Sequence, residues 1–508
     1  MKRLIKKIKL GNNAKFMFIS SFGILLSRIS GFLRDLTVAY YFGANVKTDI
    51  FFLAFKIPNT LRHIFAEGAL SNVFLPKFIK LLKINRKKAY SFLNLFLLIW
   101  SIILLILIFL GIENSYLIIK FLAPGYDESL LKEASYYLKL LFPFIFFISI
   151  IAILGGSLEA LNDFWTFSVS TVFFNLGIIF GIILFQKKFD IEALIIGVYL
   201  GVFFQLLFVG YKFLRKKLFY KPSLEAIKDV IFVLKNFIFS FLIGALKQIS
   251  IIIDTIFATF LEKGAISYLY YSFRLLFLPI GLVTIAINKV ALKDLSEKIA
   301  KLDLKILNKD IERTLKLAYF LILFTTLLFG FFGLDTVKVL FAHGKFTSQD
   351  AYKTYLALLG SLPGLVFATL SRIYFNIYLA KEKPRSLVPV SLFTLTLNTI
   401  FDYIFIFILP LGIFGLPFAT SISYFITFIF LTFKVKKDFF ISLSFSTYLY
   451  FFKLLTFGLF IGFLVFKISN NFENLYFRTI FEYIIFTLLY FLGGYFLFKK
   501  DILEIIKI

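Results

Sequence analysis

Charged side chains are concentrated between Ser27 and Pro76, in a stretch that otherwise has the apolar composition of two membrane helices. The charged residues of this stretch are Arg28, Arg34, Asp35, Asp49, Lys56, Arg62 and Glu67. Each charge at the centre of a membrane helix costs about 2.5 to 3.5 kcal/mol on insertion scales, so such residues are retained for a function or for internal pairing. The stretch is therefore the first candidate for a binding site.

Four arginines in apolar segments have the chemistry of an anion site. They are Arg28, Arg34, Arg62 and Arg274. Arginine is a planar, permanently charged donor that holds phosphate or carboxylate in poorly hydrated places, so the four suit a polyanionic head group such as a diphosphate. The alternative is that local acids neutralise them. The acids available are Asp35, Asp49 and Glu67. We favour the cavity, because pairing alone does not explain why the charges cluster.

The spacing of these residues predicts which of them share a helix face. Arg28 and Asp35 are seven residues apart and lie on one face, whereas Arg34 points elsewhere on a straight helix. Small residues between them permit a kink that brings both arginines toward one cavity. In the second segment Asn59, Arg62 and Ala66 form an i, i+3, i+7 stripe, and Pro58 again permits a bend. Two interrupted, charged helices are typical of a transporter binding site.

A second group of polar residues lies in later segments and supplies oxygen atoms. Its members are Asp254, Asn398, Asp402 and Thr420. Asn398 and Asp402 are four residues apart and therefore share a helix face. Three roles fit this group: a hard oxygen site for a small cation, a proton relay, and an internal ion pair of the acids with Lys247. The residues alone leave all three roles open.

The composition argues for an integral membrane protein and against most enzyme classes. Of the 508 residues 60% are hydrophobic, and the mean hydropathy is +0.90. Cysteine is absent and there are only two histidines, so thiolate metal sites are excluded. We find no nucleotide-binding loop, no nucleophile elbow and no zinc-protease motif. Catalysis therefore has little support.

The basic excess fits membrane topology better than nucleic-acid binding. Lys+Arg 56 against Asp+Glu 29 leaves a net charge of +27, and the basic residues form short clusters between apolar runs. About fourteen segments reach the roughly 20 apolar residues that a span requires. The clusters concentrate in the loops on the side of the N-terminus, so the positive-inside rule predicts that both termini are cytoplasmic. We interpret the N-terminus as an uncleaved first span, and the basic loop 211–228 as a linker between two lobes.

Several motifs together resemble the MurJ (MviN) family of lipid II flippases, within the multidrug, oligosaccharidyl-lipid and polysaccharide exporter superfamily. The motifs are SRISGFLRD, FGANVKTDIFFLAFKIPNTLRHIFAEGALSNVFLP, FPFIFFIS with GGSLEALNDFW, YYSFRLLFLP and HGKFTSQDA. The first two form one highly specific block, and the resemblance extends more loosely over nearly the whole chain. It weakens after about residue 440.

The resemblance implies an all-α integral membrane protein of about fourteen transmembrane helices. Two pseudosymmetric six-helix lobes, 1–222 and 223–440, surround a central cationic cavity, and two further helices in 441–508 form a groove for the lipid tail. The implied activity is transfer of lipid II from the cytoplasmic to the outer leaflet of the bacterial inner membrane by alternating access, coupled to a cation or to the membrane potential. The implied partners are lipid II, membrane lipids and cell-wall synthesis proteins, without nucleic acid, and we expect a monomer.

The resemblance also assigns roles to individual residues. Substrate binding is implied for Arg28, Arg34, Arg62 and Arg274. Gating, or orientation of the arginines, is expected of Asp35, Asp49, Asn59 and Glu67. A sodium site, the one cofactor expected, is implied at Asp254, Asn398 and Asp402, to which we add Thr420. The family often has an acid immediately before the eighth-helix arginine, whereas Phe273 occupies that position here, so a local partner for Arg274 is in question.

Three other functions stay open at this stage. The first is export of another lipid-linked oligosaccharide by the same kind of transporter. The second is a non-transporting scaffold for cell-wall enzymes. The third is a membrane-embedded enzyme acting on prenyl diphosphates, which is disfavoured because its acids would lie in distant spans rather than converge on one magnesium site.

Overall fold

A computed structural model describes residues 12–62, 69–277, 304–381 and 383–499. In these ranges the regular secondary structure is helical and contains no strand. The chain divides into two compact units, Met1–Thr259 and Phe260–Ile508, here called the N-terminal and C-terminal units. The two lobes predicted at 1–222 and 223–440, and the pair of helices predicted in 441–508, stay a prediction.

The N-terminal unit is built from ten described helices. They are α1 (Asn12–Phe42), α2 (Val46–Arg62), α3 (Ala69–Ile84), α4 (Arg86–Glu113), α5 (Ser115–Leu122), α6 (Glu128–Leu141), α7 (Phe144–Ala160), α8 (Phe164–Phe189), α9 (Glu192–Arg215) and α10 (Ile227–Ala258). A short 3-10 turn, Leu224–Ala226, precedes α10.

The C-terminal unit contains seven more described helices. They are α11 (265–277, as far as it is described), α12 (Leu304–Phe341), α13 (Ser348–Ala380), α14 (Val388–Tyr403), α15 (Gly415–Phe439), α16 (Phe445–Ser469) and α17 (Leu475–Leu497). A π-helical turn, Ile404–Ile408, directly follows α14.

Ten helical segments of the described ranges are long and apolar enough to cross a membrane. Together with the all-helical architecture they confirm a multi-pass membrane protein. The count of about fourteen spans stays a prediction. The apolar stretch 128–160 consists of two helices, α6 and α7, separated at Phe142 and Pro143. Proline lacks the amide donor that a continuous helix needs, which explains the interruption there.

Helix starts follow the local sequence. Asn85, Asp127 and Asp163 precede α4, α6 and α8, and their side chains accept hydrogen bonds from the first backbone amides of those helices. Short polar side chains are favoured at this position because the first four amides of a helix have no partner within it. The turns between the apolar helices are therefore specified locally.

Glycines allow α8 and α9 to pack in close contact. A methyl group added to Gly177 would lie 2.3 Å from the Cα of Gly201, and one added to Gly181 would lie 2.3 Å from the Cα of Gly197. Small residues four apart on both helices permit this approach, which is a common way of joining helices in membranes. Helix α8 also packs against α1, the helix that carries Arg28 and Arg34.

Candidate functional site

Arg28 is exposed in the middle of α1, a helix that also carries Arg34 and Asp35. Within the described ranges of the chain, its side chain has neither a hydrogen-bond nor an ion-pair partner. Arg28 and Asp35 are seven residues apart on this continuous helix, and Asp35 accepts hydrogen bonds from the neighbouring Arg34. The guanidinium of Arg28 is thus accessible to an external anion.

Arg34 is braced by one carboxylate and one amide. Its Nε and Nη2 donate to Oδ1 of Asp35 at 3.0 and 2.7 Å, and its Nη1 donates to Oδ1 of Asn175 on α8 at 3.0 Å. Asp35 is 1% exposed, so this is a largely desolvated ion pair. Buried pairs of this kind depend on additional hydrogen bonds, and Asn175 supplies one. The long side chain of Arg34 thus reaches the carboxylate of the adjacent residue, although neighbouring residues leave a helix in different directions.

Asn175 is a site residue that the sequence reasoning missed. Its Nδ2 donates to the hydroxyl of Ser30 at 2.9 Å, and one turn earlier on α8 the hydroxyl of Thr171 donates to that of Ser27 at 2.6 Å. The small residues that we expected to kink α1 instead connect it to α8. The signal was present as two polar residues, Thr171 and Asn175, which are four apart and therefore share one face of α8.

The predicted pairing of Asn59 with Arg62 is confirmed, while Ala66 of the same stripe lies outside the described residues. Nε of Arg62 donates to Oδ1 of Asn59 at 3.0 Å, within α2 and next to the buried Pro58. Asn59 therefore orients this arginine, as predicted for a residue three positions earlier. The predicted gating residue Glu67 lies outside the described residues.

Asp49 is buried at the start of α2, with 2% of its surface exposed. Burial, together with the negative charge of Asp49, raises the pKa of Tyr126 in the loop that precedes α6. The helix that carries Asp49, α2, packs against α6, the helix that follows this loop. This position suits the expected gating role, which stays a prediction.

Arg274 has a local partner that the sequence reasoning did not identify. Its Nη2 donates to the hydroxyl of Tyr270 at 2.7 Å, and its guanidinium carbon lies 4.5 Å from the centre of the same ring. Tyr270 precedes it by one helical turn on α11. Together the hydrogen bond and the cation–π contact orient the guanidinium without an acid at position 273.

Asn398 and Asp402 are joined as their spacing predicts. Nδ2 of Asn398 donates to Oδ2 of Asp402 at 2.6 Å, and both side chains are buried in α14, directly before the π-helical turn. The hydroxyl of Thr420 donates to the carbonyl of Leu416 at 3.5 Å on its own helix. Asp254 belongs to the N-terminal unit, and the side chain of Lys247 lies outside the described part of the structure.

The buried pair has the donor chemistry of a sodium site. Carboxylate and amide oxygens are the hard ligands that such cations prefer. No group of three or more acids, histidines or cysteines that could hold a metal occurs within the described residues, and the sodium site stays a prediction.

A family model described as "Lipid II flippase MurJ" matches residues 38–487 of the sequence. The chain belongs to the MurJ family. Among curated relatives, a probable lipid II flippase MurJ of Aquifex aeolicus is 31% identical over 406 residues, covering 79% of each chain. One from Buchnera aphidicola subsp. Schizaphis graminum is 33% identical over 442 residues, covering 85% of each chain.

Solved structures agree with this membership. A structure of lipid II flippase MurJ in an inward closed conformation has a TM-score of 0.81 and 26% identity, covering 96% of this chain and 100% of that chain. An inward-facing MATE family transporter of the MOP superfamily has a TM-score of 0.64 at 15% identity, covering 81% of this chain and 95% of that chain, which shows the shared fold. The MurJ family comprises transporters rather than enzymes, so the enzyme alternative is set aside.

Proposed function

We propose that this chain moves lipid II, the undecaprenyl-diphosphate-linked peptidoglycan precursor, from the cytoplasmic to the outer leaflet of the bacterial inner membrane by alternating access. The observation that carries the proposal is the match of the MurJ family model to residues 38–487. The likeness to a solved MurJ structure over 96% of the chain supports it independently. Orientation of the termini, association with cell-wall synthesis proteins and the monomeric state remain predictions.

In this proposal the four arginines bind the diphosphate and sugar head group with different degrees of preorganisation. Arg28 is exposed and supplies a mobile charge. Arg62 and Arg274 are each oriented by a neighbour one turn earlier on the same helix. Arg34 contributes while held by Asp35 and Asn175, so its charge is fixed in position before the substrate arrives. Fixed donors lose less entropy when an anion binds.

Sodium coupling is a further part of the proposal. Asn398 and Asp402 would hold the ion, with Asp254 and Thr420 completing the site, and a bound cation would favour the conformation to which it binds more tightly. The test is flipping in proteoliposomes with sodium or with an equal concentration of N-methylglucamine. Wild type should be slower without sodium, and Asp402→Ala should be slow in both. Equal rates for wild type in the two media would refute the coupling and leave flipping itself intact.

The flippase assignment is tested by depleting the lipid II flippase of a bacterial host and supplying this chain. Wild type should restore growth and outward transfer of lipid II. Arg28→Ala should not, because the substitution removes an exposed positive charge that is available to the diphosphate of the substrate. Arg86→Ala is the matched control, since Arg86 is also an exposed arginine of the N-terminal unit.

The outcomes separate substrate from mechanism. If the inserted wild-type chain fails to restore lipid II transfer, the substrate assignment is wrong, and a different lipid-linked oligosaccharide or a scaffold role takes its place. If wild type succeeds and Arg28→Ala succeeds equally, the substrate stands and the role of Arg28 is rejected.

A further inference from the structure

A buried carboxyl group lies between the last two helices, apart from the arginines and from the proposed sodium site. Glu482, in the second turn of α17, is 1% exposed. Its Oε1 lies 2.6 Å from the hydroxyl oxygen of Ser469 at the end of α16. Its Oε2 has no hydrogen-bond partner among the described residues. One short contact is therefore all that the observed structure offers this group.

The nearest cation is already neutralised by another acid. Arg478, one turn before Glu482 on α17, forms a two-pronged ion pair with Asp335 of α12, with Nε–Oδ2 and Nη2–Oδ1 distances of 2.5 and 2.7 Å. The adjacent Tyr483 exchanges a hydrogen bond of 2.8 Å with Thr336 of α12. The charged groups that face Glu482 are thus Asp335 and Arg478, while α16 contributes the neutral hydroxyl of Ser469. An ionised Glu482 would leave this group with a net negative charge inside the protein.

Burial and the neighbouring acid favour the neutral form of Glu482. The Ser469 oxygen lies 2.6 Å from Oε1 of Glu482 and 3.0 Å from the carbonyl oxygen of Phe466, which already accepts from the backbone amide of Asn470 at 3.1 Å. A serine hydroxyl has one hydrogen, so within the described residues an ionised Glu482 would receive at most one hydrogen bond at Oε1 and none at Oε2. A buried carboxylate with so few donors is strongly disfavoured, whereas a neutral carboxylic acid avoids that cost and donates to the Ser469 oxygen.

We propose that Glu482 is a proton-binding site that joins α16 to α17, with the proton on Oε1 donated to Ser469. This site is independent of the proposed flippase function. Loss of the proton places an uncompensated charge between the two helices and beside Asp335, and so weakens the packing of the α16–α17 pair. The folded protein keeps this proton at pH values where the unfolded chain has already lost it, so the stability falls as the pH rises above the ordinary range of a glutamate carboxyl, until Glu482 itself ionises.

The test uses the full-length protein in lipid nanodiscs and two matched substitutions. Glu482→Gln keeps the shape and the donor to Ser469 but cannot ionise, and Glu473→Gln alters an exposed glutamate in the turn before α17. Infrared difference spectra at neutral pH should show a carboxylic acid C=O band that is lost in Glu482→Gln and kept in Glu473→Gln. The midpoint of thermal unfolding should fall with rising pH in wild type and in Glu473→Gln, and fall less in Glu482→Gln.

Two results would overturn the proposal: no difference in the carboxylic acid band between wild type and Glu482→Gln, or identical pH profiles of unfolding for the two. If Glu482→Gln does not fold, the infrared spectrum of Ser469→Ala is the test, because this variant removes the hydroxyl that accepts from Glu482 and leaves the acid in place. The band should then shift to higher frequency as the hydrogen bond is lost. An unshifted band in Ser469→Ala would equally reject the site.

Discussion

The guanidinium of Arg34 donates to the side-chain oxygen of Asn175 at 3.0 Å, joining two residues 141 positions apart in the sequence. This bond connects the arginine-bearing helix α1 to α8, while the other side of the guanidinium binds Asp35. Arg34 is therefore positioned by tertiary contacts, in contrast to the exposed Arg28.

Asn175→Ala should lower both stability and flipping. The substitution removes the amide oxygen that accepts from Arg34 and the amide nitrogen that donates to Ser30, and both belong to a buried side chain. We therefore expect a loss of about 1 to 3 kcal/mol in the free energy of unfolding. Thermal unfolding of the purified protein and rescue of flippase-depleted cells provide the measurements. The control is Asn114→Ala, since that side chain is exposed and bonds only to its own helix. Equal behaviour of the two variants would contradict the bracing role.

Arg34→Ala and Arg28→Ala should separate structure from substrate binding. Removing Arg34 leaves Asp35 buried without this partner, which should destabilise the protein by about 3 to 5 kcal/mol. Removing the exposed Arg28 should change stability by no more than about 0.5 kcal/mol while abolishing rescue. For both variants the unfolding temperature is measured and compared with the degree to which the variant rescues flippase-depleted cells. Similar destabilisation by the two substitutions would show that Arg28 is structural as well.

Tyr270 should contribute to function through both contacts with Arg274. Tyr270→Phe keeps the ring beneath the guanidinium and loses the hydroxyl, at a cost of about 1 kcal/mol, so rescue should be reduced only partly. Tyr270→Ala removes both contacts and should reduce rescue much further. Tyr352→Phe, at an exposed tyrosine of α13, is the control. Phe and Ala variants that rescue equally well would exclude a role for the tyrosine ring.

The crossing of α8 and α9 should tolerate no added methyl group. In Gly201→Ala the new carbon would lie 2.3 Å from the carbonyl oxygen of Phe174, so the helices must separate, at a cost of about 1 to 3 kcal/mol. Gly210→Ala on the same helix meets no atom within 4 Å and should be neutral or slightly stabilising. Unfolding temperatures of the two variants in the same detergent provide the comparison. Equal stability of the two variants would contradict a cost that comes from the close contact at Gly201.

Sequence alone determined the membrane class, the positions of the arginines and the contacts between neighbours on one helix. Asn59 with Arg62 and Asn398 with Asp402 were predictable because residues three or four apart in a helix must lie side by side. The contacts of Arg34 with Asn175 and of Arg478 with Asp335 were not predictable, because they depend on which helices pack together and at what height. The same spacing rule places Tyr270 beside Arg274, but only charged residues had been considered as partners of this arginine. Tertiary structure alone decided that Arg28 is left exposed while Arg34 is braced, since only packing determines which of two similar side chains meets a partner.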